Sequence, residues 1–275
     1  MSKKESYKET LTTLLDEALE AGKEEKLKEY LISNSNLPGP RANLELAEAF
    51  AFVTEFCAQK VGEKLWKLNM ELTCFSPTEA PVNSAMEFLV FCGVRGIGSL
   101  GSSAPFFENA IVRLKELASD PRWRTREAVA MAIQTLIKRQ PQKTLKKIEE
   151  WIEDSNWLAM RAVAAGAAEP ALLKDMQTAK SALELHKKIF TKVLDSGERE
   201  SSEFKTLKQG LGYSLSVVVS AFPYEGFKYM RQLVDAQDED VLWVIKENLK
   251  KNRLTKNFPQ EVASMNKLLA KSQVA

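Results

Sequence analysis

Apolar residues recur at helical spacing along nearly the whole chain. Between residues 7 and 32, Leu11, Leu14, Leu15, Ala18 and Leu19, then Leu27, Tyr30 and Leu31, fall three and four apart with a break at Gly22, which predicts a helical hairpin. Residues 33–43, rich in Asn, Pro and Gly, read as a loop. A long helix follows over 44–70 through Ala47, Phe50, Val53 and Phe56, and a second break from Ser76 to Pro81 precedes a helix over 84–100. Further helices are predicted at 106–119, 123–138, 145–153, 157–167, 172–194, 202–221, 224–235, 241–250 and 259–271, with one surface loop at 196–201. No segment alternates with period two for long enough to require a sheet, so the expected class is all-α.

A short word recurs within this pattern: Asp120 with Trp123 and Arg126, Asp154 with Trp157 and Arg161, Asp240 with Trp243 and Lys246. The first two copies are 34 residues apart and the third lies 86 further on, about twice a helix-pair period, as stacked helical repeats with one unmarked repeat would give. Each copy also reads as a helix start, with Asp120 as the N-cap and Pro121 at the first helical position. The expectation is one domain over 1–275, a HEAT/armadillo-like right-handed superhelix of antiparallel helix pairs, regular over 106–271 and less so over 1–101.

The 275 residues carry Lys+Arg 39 against Asp+Glu 37, a formal charge of +2 that by itself does not mark a nucleic-acid protein. Distribution says more. Residues 111–147 hold ten basic and three acidic side chains, a local +7, and Lys246, Lys250, Lys251, Arg253 and Lys256 cluster again near the end. Such stretches either sit over phosphates or form the solvated outer faces of helices. Cys57, Cys74 and Cys92 are odd in number and lack Cys-x-x-Cys spacing, which indicates neither a disulfide frame nor a cysteine zinc site and fits a reducing cytoplasm. The first residues form a charged amphipathic helix rather than a signal core, and no apolar run approaches the roughly 20 residues of a membrane span, so a soluble protein without a membrane partner is expected.

The chain offers little standard enzymatic equipment. Gly96-x-Gly98-x-x-Gly101 after Phe88 to Gly93 imitates a strand entering a dinucleotide loop, but no further strand follows to build the crevice, and a close helix crossing explains the glycines more simply. His186, the sole histidine, excludes His-rich metal sites and reads as an exposed structural residue beside Lys187 and Lys188. What remains is carboxylates, arginines and aromatics. Trp123 and Glu127 are four apart and share a helix face, Arg124 and Arg126 flank them, and Arg161 occupies the matching place one repeat later. These side chains either line one concave face around a ligand or form a core tryptophan with inter-repeat Asp and Arg ladders.

The segment Trp151 to Ala162, with Asn156, Trp157, Leu158 and Arg161, and the segment Leu211, Gly212, Tyr213, Ser214, Leu215 resemble those of the bacterial DNA alkylation-repair glycosylases built of HEAT-like repeats. The resemblance spans roughly 106–258 and has the character of a distant superfamily member. It implies that Trp123, Glu127 and Arg161 are the catalytic set, with Glu where many members have Asp, and that Tyr213 stands where a second aromatic wall, usually Trp, is expected. The chemistry so implied is release of a cationic alkylated purine: Glu127 places negative charge beside the developing sugar cation and orients water, Trp123, Trp157 and Tyr213 present aromatic faces to the cation, and Arg161 grips a phosphate. No metal or other cofactor is implied. Arg124, Arg126, Lys138 and Arg139 join Trp157 and Tyr213 as the expected DNA-binding set. The alternative is a non-catalytic helical-repeat scaffold that binds a protein partner on its concave surface.

Overall fold

The computed structural model describes residues 2–21, 23–154 and 156–272; the break expected at Gly22 and residue Ser155 of the second Asp-x-x-Trp word lie outside them. Among the described residues the chain is all helical, with no strand. In order come α1 (Lys3–Ala21), α2 (Glu24–Ser33), α3 (Leu44–Leu72), α4 (Glu87–Leu100), α5 (Phe107–Leu117), α6 (Trp123–Arg139) and α7 (Pro141–Glu149). Then follow α8 (Trp157–Ala167), α9 (Met176–Asp195), α10 (Ser202–Ala221), α11 (Pro223–Asp235), α12 (Glu239–Leu249), the short α13 (Asn252–Thr255) and α14 (Pro259–Ser272). Single 3₁₀ turns at Glu150–Ile152 and Leu172–Lys174 replace what the periodicity presents as continuations of α7 and α9. No described helix is long and apolar enough to cross a membrane. The chain divides into two compact units, residues 1–140 and 141–275.

In the first unit, α4 is the centre. All fourteen of its residues are buried, and it packs against α3 on one side and α6 on another. Two glycines make that burial possible: a Cβ at Gly96 would lie 1.8 Å from Asn69 Oδ1 of α3, and one at Gly98 would lie 2.6 Å from the Ala132 Cβ of α6. The Gly96-x-Gly98 pair therefore serves a close helix crossing and no phosphate loop. Parallel alignment of α4 with α6 follows from three levels of contact: Glu87 pairs with Arg124, Gly98 meets Ala132, and Gly101 meets Leu136. Asn43 starts α3 by accepting from the Leu46 amide at 3.1 Å, while its own amide group donates to Tyr7 of α1 and to the Asn34 carbonyl.

In the second unit, α8, α10 and α12 run parallel, with α10 between the other two. Trp157 meets Phe204 edge to face and Arg161 lies beside Gly210, which sets α8 on α10. Lys208 pairs with Asp240, and Asn248 bonds both the Leu211 carbonyl and the Ser216 amide, which sets α10 on α12. The odd-numbered helices form a second layer. Lys188 and Lys192 of α9 pair with Glu149 of α7 and with Glu153 just beyond it, and Phe190 of α9 meets the Tyr229 ring of α11. His186 belongs to α9 of this layer and meets Ser214 of α10. His186 is wholly buried rather than exposed, because Ala182, Leu183, Leu185, Ile189 and Phe190 put its position on the apolar stripe of α9.

The three Asp-x-x-Trp words do not occupy equivalent places. Trp123 and Trp157 each begin a helix, as the repeat requires, whereas Trp243 is the fifth residue of α12. The aspartates are not the caps. Arg122 precedes α6, Asn156 caps α8 by accepting from the Leu158 and Ala159 amides, and Asp238 caps α12. Asp120 instead clasps the buried guanidinium of Arg122 with both oxygens, at 2.9 and 2.6 Å, and accepts the Arg122 amide at 2.8 Å. Arg122 also donates to the Phe75 and Ala80 carbonyls, so the pair ties the α3–α4 loop to the start of α6. Asp120→Ala is therefore expected to remove charged hydrogen bonds from a buried arginine, a loss of about 1.5–3 kcal/mol by chemical denaturation. A loss of no more than a few tenths would show that the backbone carbonyls alone satisfy Arg122.

Candidate functional site

On α6 in the first unit, Trp123 and Glu127 share a face, one helical turn apart, both partly accessible. Trp123 is 43% exposed because it stands at the very start of the helix, and the Arg124 guanidinium lies 4.3 Å from its ring centroid. That arginine does not face a phosphate. Arg124 is buried, donating to Glu87 at 3.2 Å, to the Gly39 carbonyl at 2.7 Å and to Asn83 at 3.2 Å. Its expected place in a DNA-binding set is thus corrected to that of an internal cross-link between the α2–α3 loop, α4 and α6. A desolvated guanidinium with an equally buried carboxylate has no reason to turn outward.

Arg126 and Arg139 of the basic stretch are also engaged. Arg126 donates to the Asp120 and Pro121 carbonyls at 2.6 and 2.9 Å, closing the turn that precedes its own helix. Lys138 and Arg139 are exposed in the last turn, where cations suit the helix dipole, and Arg139 pairs with Glu55 of α3 at 2.6 Å. The local +7 of the sequence is consequently not a bare positive surface. Two of its ten cations, Arg122 and Arg124, are inside the protein.

The second unit brings together the other expected residues. Trp157 and Arg161 lie one turn apart on α8, both half-buried; the Trp157 ring packs edge to face on Phe204 with centroids 5.3 Å apart, and the aliphatic stem of Arg161 passes Gly210. Tyr213 follows one turn later on α10 and is 52% exposed. Its hydroxyl accepts from Arg253 at 2.5 Å, and its ring has the Arg253 guanidinium 4.8 Å and the Lys251 ammonium 5.8 Å from its centroid. Trp243 on α12 repeats the theme, with Lys208 at 4.9 Å from its ring. Aromatic faces that are accessible and flanked by cations are the elements from which nucleic-acid stacking surfaces are built.

The sequence offers Tyr213 through the family resemblance and Lys251 and Arg253 through their basic cluster, but nothing in it joins the two across 40 residues. Trp243 and Lys208 were not singled out as site residues. Asp240, the third word's acid, pairs with Lys208 and with Arg199, whose other partner is Asp238, so this copy of the word works as an ion-pair ladder between helices. Among the described residues no cluster of three or more His, Cys, Asp or Glu side chains is arranged to hold a metal ion. No protein-family model matches the chain, and no curated protein matches it significantly.

Proposed function

We propose that the chain is a HEAT-like helical-repeat protein, a right-handed superhelix of antiparallel helix pairs, that binds duplex DNA and releases cationic alkylated purines. The parallel α8, α10 and α12 backed by α7, α9 and α11 support the repeat architecture. The observation that carries the binding reading is Tyr213: a half-exposed ring bracketed by Arg253 and Lys251, on the helix that also passes Arg161. An aromatic face with cations at its rim suits a base or sugar against the ring and phosphates against the charges.

In this reading the first unit offers the Trp123 face to the cationic nucleotide and Lys138 and Arg139 to phosphates, and the second unit binds DNA through Tyr213, a partly covered Trp157 and Arg161. Glu127 supplies the chemistry. Alkylation at N3 or N7 has already weakened the glycosidic bond, so a carboxylate beside the sugar needs only to stabilise the oxocarbenium ion and orient the attacking water. Glu127→Gln is expected to keep DNA affinity while excision of N7-methylguanine from a duplex falls tenfold or more, equivalent to about 1.4 kcal/mol of transition-state stabilisation. If the wild type frees no base, the catalytic half is refuted. If it also shows no salt-sensitive binding to DNA, the scaffold with a protein partner becomes the better account.

A further inference from the structure

On α3 the residues Leu46, Ala47, Phe50 and Val53 face inward and are buried, yet Phe52 and Phe56 are 48% and 72% exposed. The apolar spacing predicts Phe56 on the inward stripe with Phe50 and Val53. It stands outside instead, one turn beyond Phe52 and on the same face. Leu44, Glu48, Phe52, Phe56 and Lys60 follow one another at intervals of four, which makes them a single ridge along the helix, and all five are exposed. The ridge ends where the backbone leaves helical geometry at Val61. Along one flank runs α1, parallel to α3: Lys4 pairs with Glu48 at 2.8 Å, and the Lys8 ammonium lies 3.8 Å from the Phe52 ring centroid. Those contacts hold the flank and leave the two rings accessible.

Charge is divided along the ridge. Glu45 and Glu48 stand toward its beginning and Lys60 at its end, with Phe52 midway between Glu45 and Lys60. Glu48 has Lys4, whereas Glu45 and Lys60 are exposed and neither has an ion-pair partner among the described residues. At a rise of about 1.5 Å per residue the two lie about 22 Å apart along the axis. A surface with an apolar middle and opposite charges at its two ends is complementary to itself when turned end for end.

We propose that α3 packs antiparallel against α3 of a second copy of this chain, about a two-fold axis at Phe52. Phe52 then meets its own counterpart, Phe56 of each copy rests on the stems of Glu48 and Lys4 of the other, and Glu45 of each meets Lys60 of the other twice over. A parallel pairing would set Glu45 against Glu45 and Lys60 against Lys60. An anionic lipid surface suits the ridge less well, because Glu45 and Glu48 stand beside the rings. An aromatic side chain presents about 200 Å², so the two rings leave roughly 250 Å² of apolar surface per copy. With a polar rim that lies at the small end of specific interfaces, which makes the dimer weak and concentration-dependent. None of the ridge residues belongs to the set assigned to DNA, so the inference goes beyond that reading.

Sedimentation velocity of the full chain, from low-micromolar to several-hundred-micromolar concentration, is the test. The wild type is expected to pass from monomer to dimer within that range. Phe56→Gln should raise the dissociation constant on the order of a hundredfold, since the ring is used twice in a two-fold contact, with unchanged melting of the dilute protein. Lys60→Glu should weaken the dimer on the order of tenfold by placing like charges together at both ends, and Glu45→Lys/Lys60→Glu should restore it to within a few fold. These two variants serve if Phe56→Gln does not accumulate. A wild type that stays monomeric throughout overturns the proposal, and if that monomer floats with phosphatidylcholine vesicles while Phe56→Gln does not, the ridge belongs to a lipid interface instead. A dimer that survives Phe56→Gln, or one that the charge exchange fails to restore, also overturns it, because the contact is then elsewhere or in another orientation.

Discussion

Arg124→Met is expected to destabilise the protein by about 3–5 kcal/mol, the cost of leaving a buried charge without its partner. Glu87, wholly buried at the start of α4, would keep only the Asn83 amide at 2.7 Å, because its other oxygen already lacks a donor. The Gly39 carbonyl would lose the Arg124 donor in the same stroke, and Asn83 Oδ1 would keep only the Gly39 amide at 3.1 Å. The second variant makes the argument specific. In Arg124→Met/Glu87→Leu the charge is gone from both sides, and stability should recover most of the loss, since a buried ion pair and an apolar pair of similar volume are nearly equivalent. Denaturant titration of both variants measures the difference; a double variant no more stable than Arg124→Met would mean that the loop tie to Gly39, rather than the ion pair, holds α6 in place.

That cross-link also shows where sequence reading ends. Helices were legible wherever an apolar stripe met a recognisable start: α8 and α10 occupy the expected residues because Asn156 and Ser201 cap them, each accepting amide hydrogens of the first turn. The start of α7 was displaced. It lies at Pro141, four residues before the expected 145, because proline at the first position of a helix lacks only an N–H that has no helical partner there. The four-residue α13 is too short for any periodicity to reveal. Within the candidate site, spacing placed Trp123 with Glu127 and Trp157 with Arg161 on shared helix faces, since that depends only on local geometry. It could not tell Arg124 from Arg126. Both are cations beside the same tryptophan, and what separates them is Glu87, 37 residues earlier in the chain and visible only once α4 lies along α6.

Lowering the pH from 7 to 5 is expected to cost about 2 kcal/mol of stability through His186 alone. Its imidazole is sealed between α9 and α10. Nδ1 donates to the Ala182 carbonyl at 2.8 Å, which leaves Nε2 to accept from the Ser214 hydroxyl at 2.9 Å, a pairing that needs the neutral ring. Burial pushes its pKa down from 6.5 to about 4, against a smaller upward effect of the Ala182 carbonyl. The unfolded chain therefore binds a proton near pH 6.5 that the folded one refuses until about pH 4, so the contribution is flat above 6.5 and stability declines as pH falls through that window. The window is unusually clean. With one histidine in the chain, no other side chain of ordinary pKa titrates between about 5 and 6.5, and carboxylate effects enter below it. Denaturation midpoints at half-unit pH steps should show the slope, and His186→Gln, which keeps a polar side chain between the two partners, should abolish it while lowering stability at neutral pH. A wild-type slope that is flat between pH 5 and 6.5 would show that the α9–α10 contact opens readily enough for the ring to be protonated in the folded state, and a slope that survives in His186→Gln would show that other groups produce it.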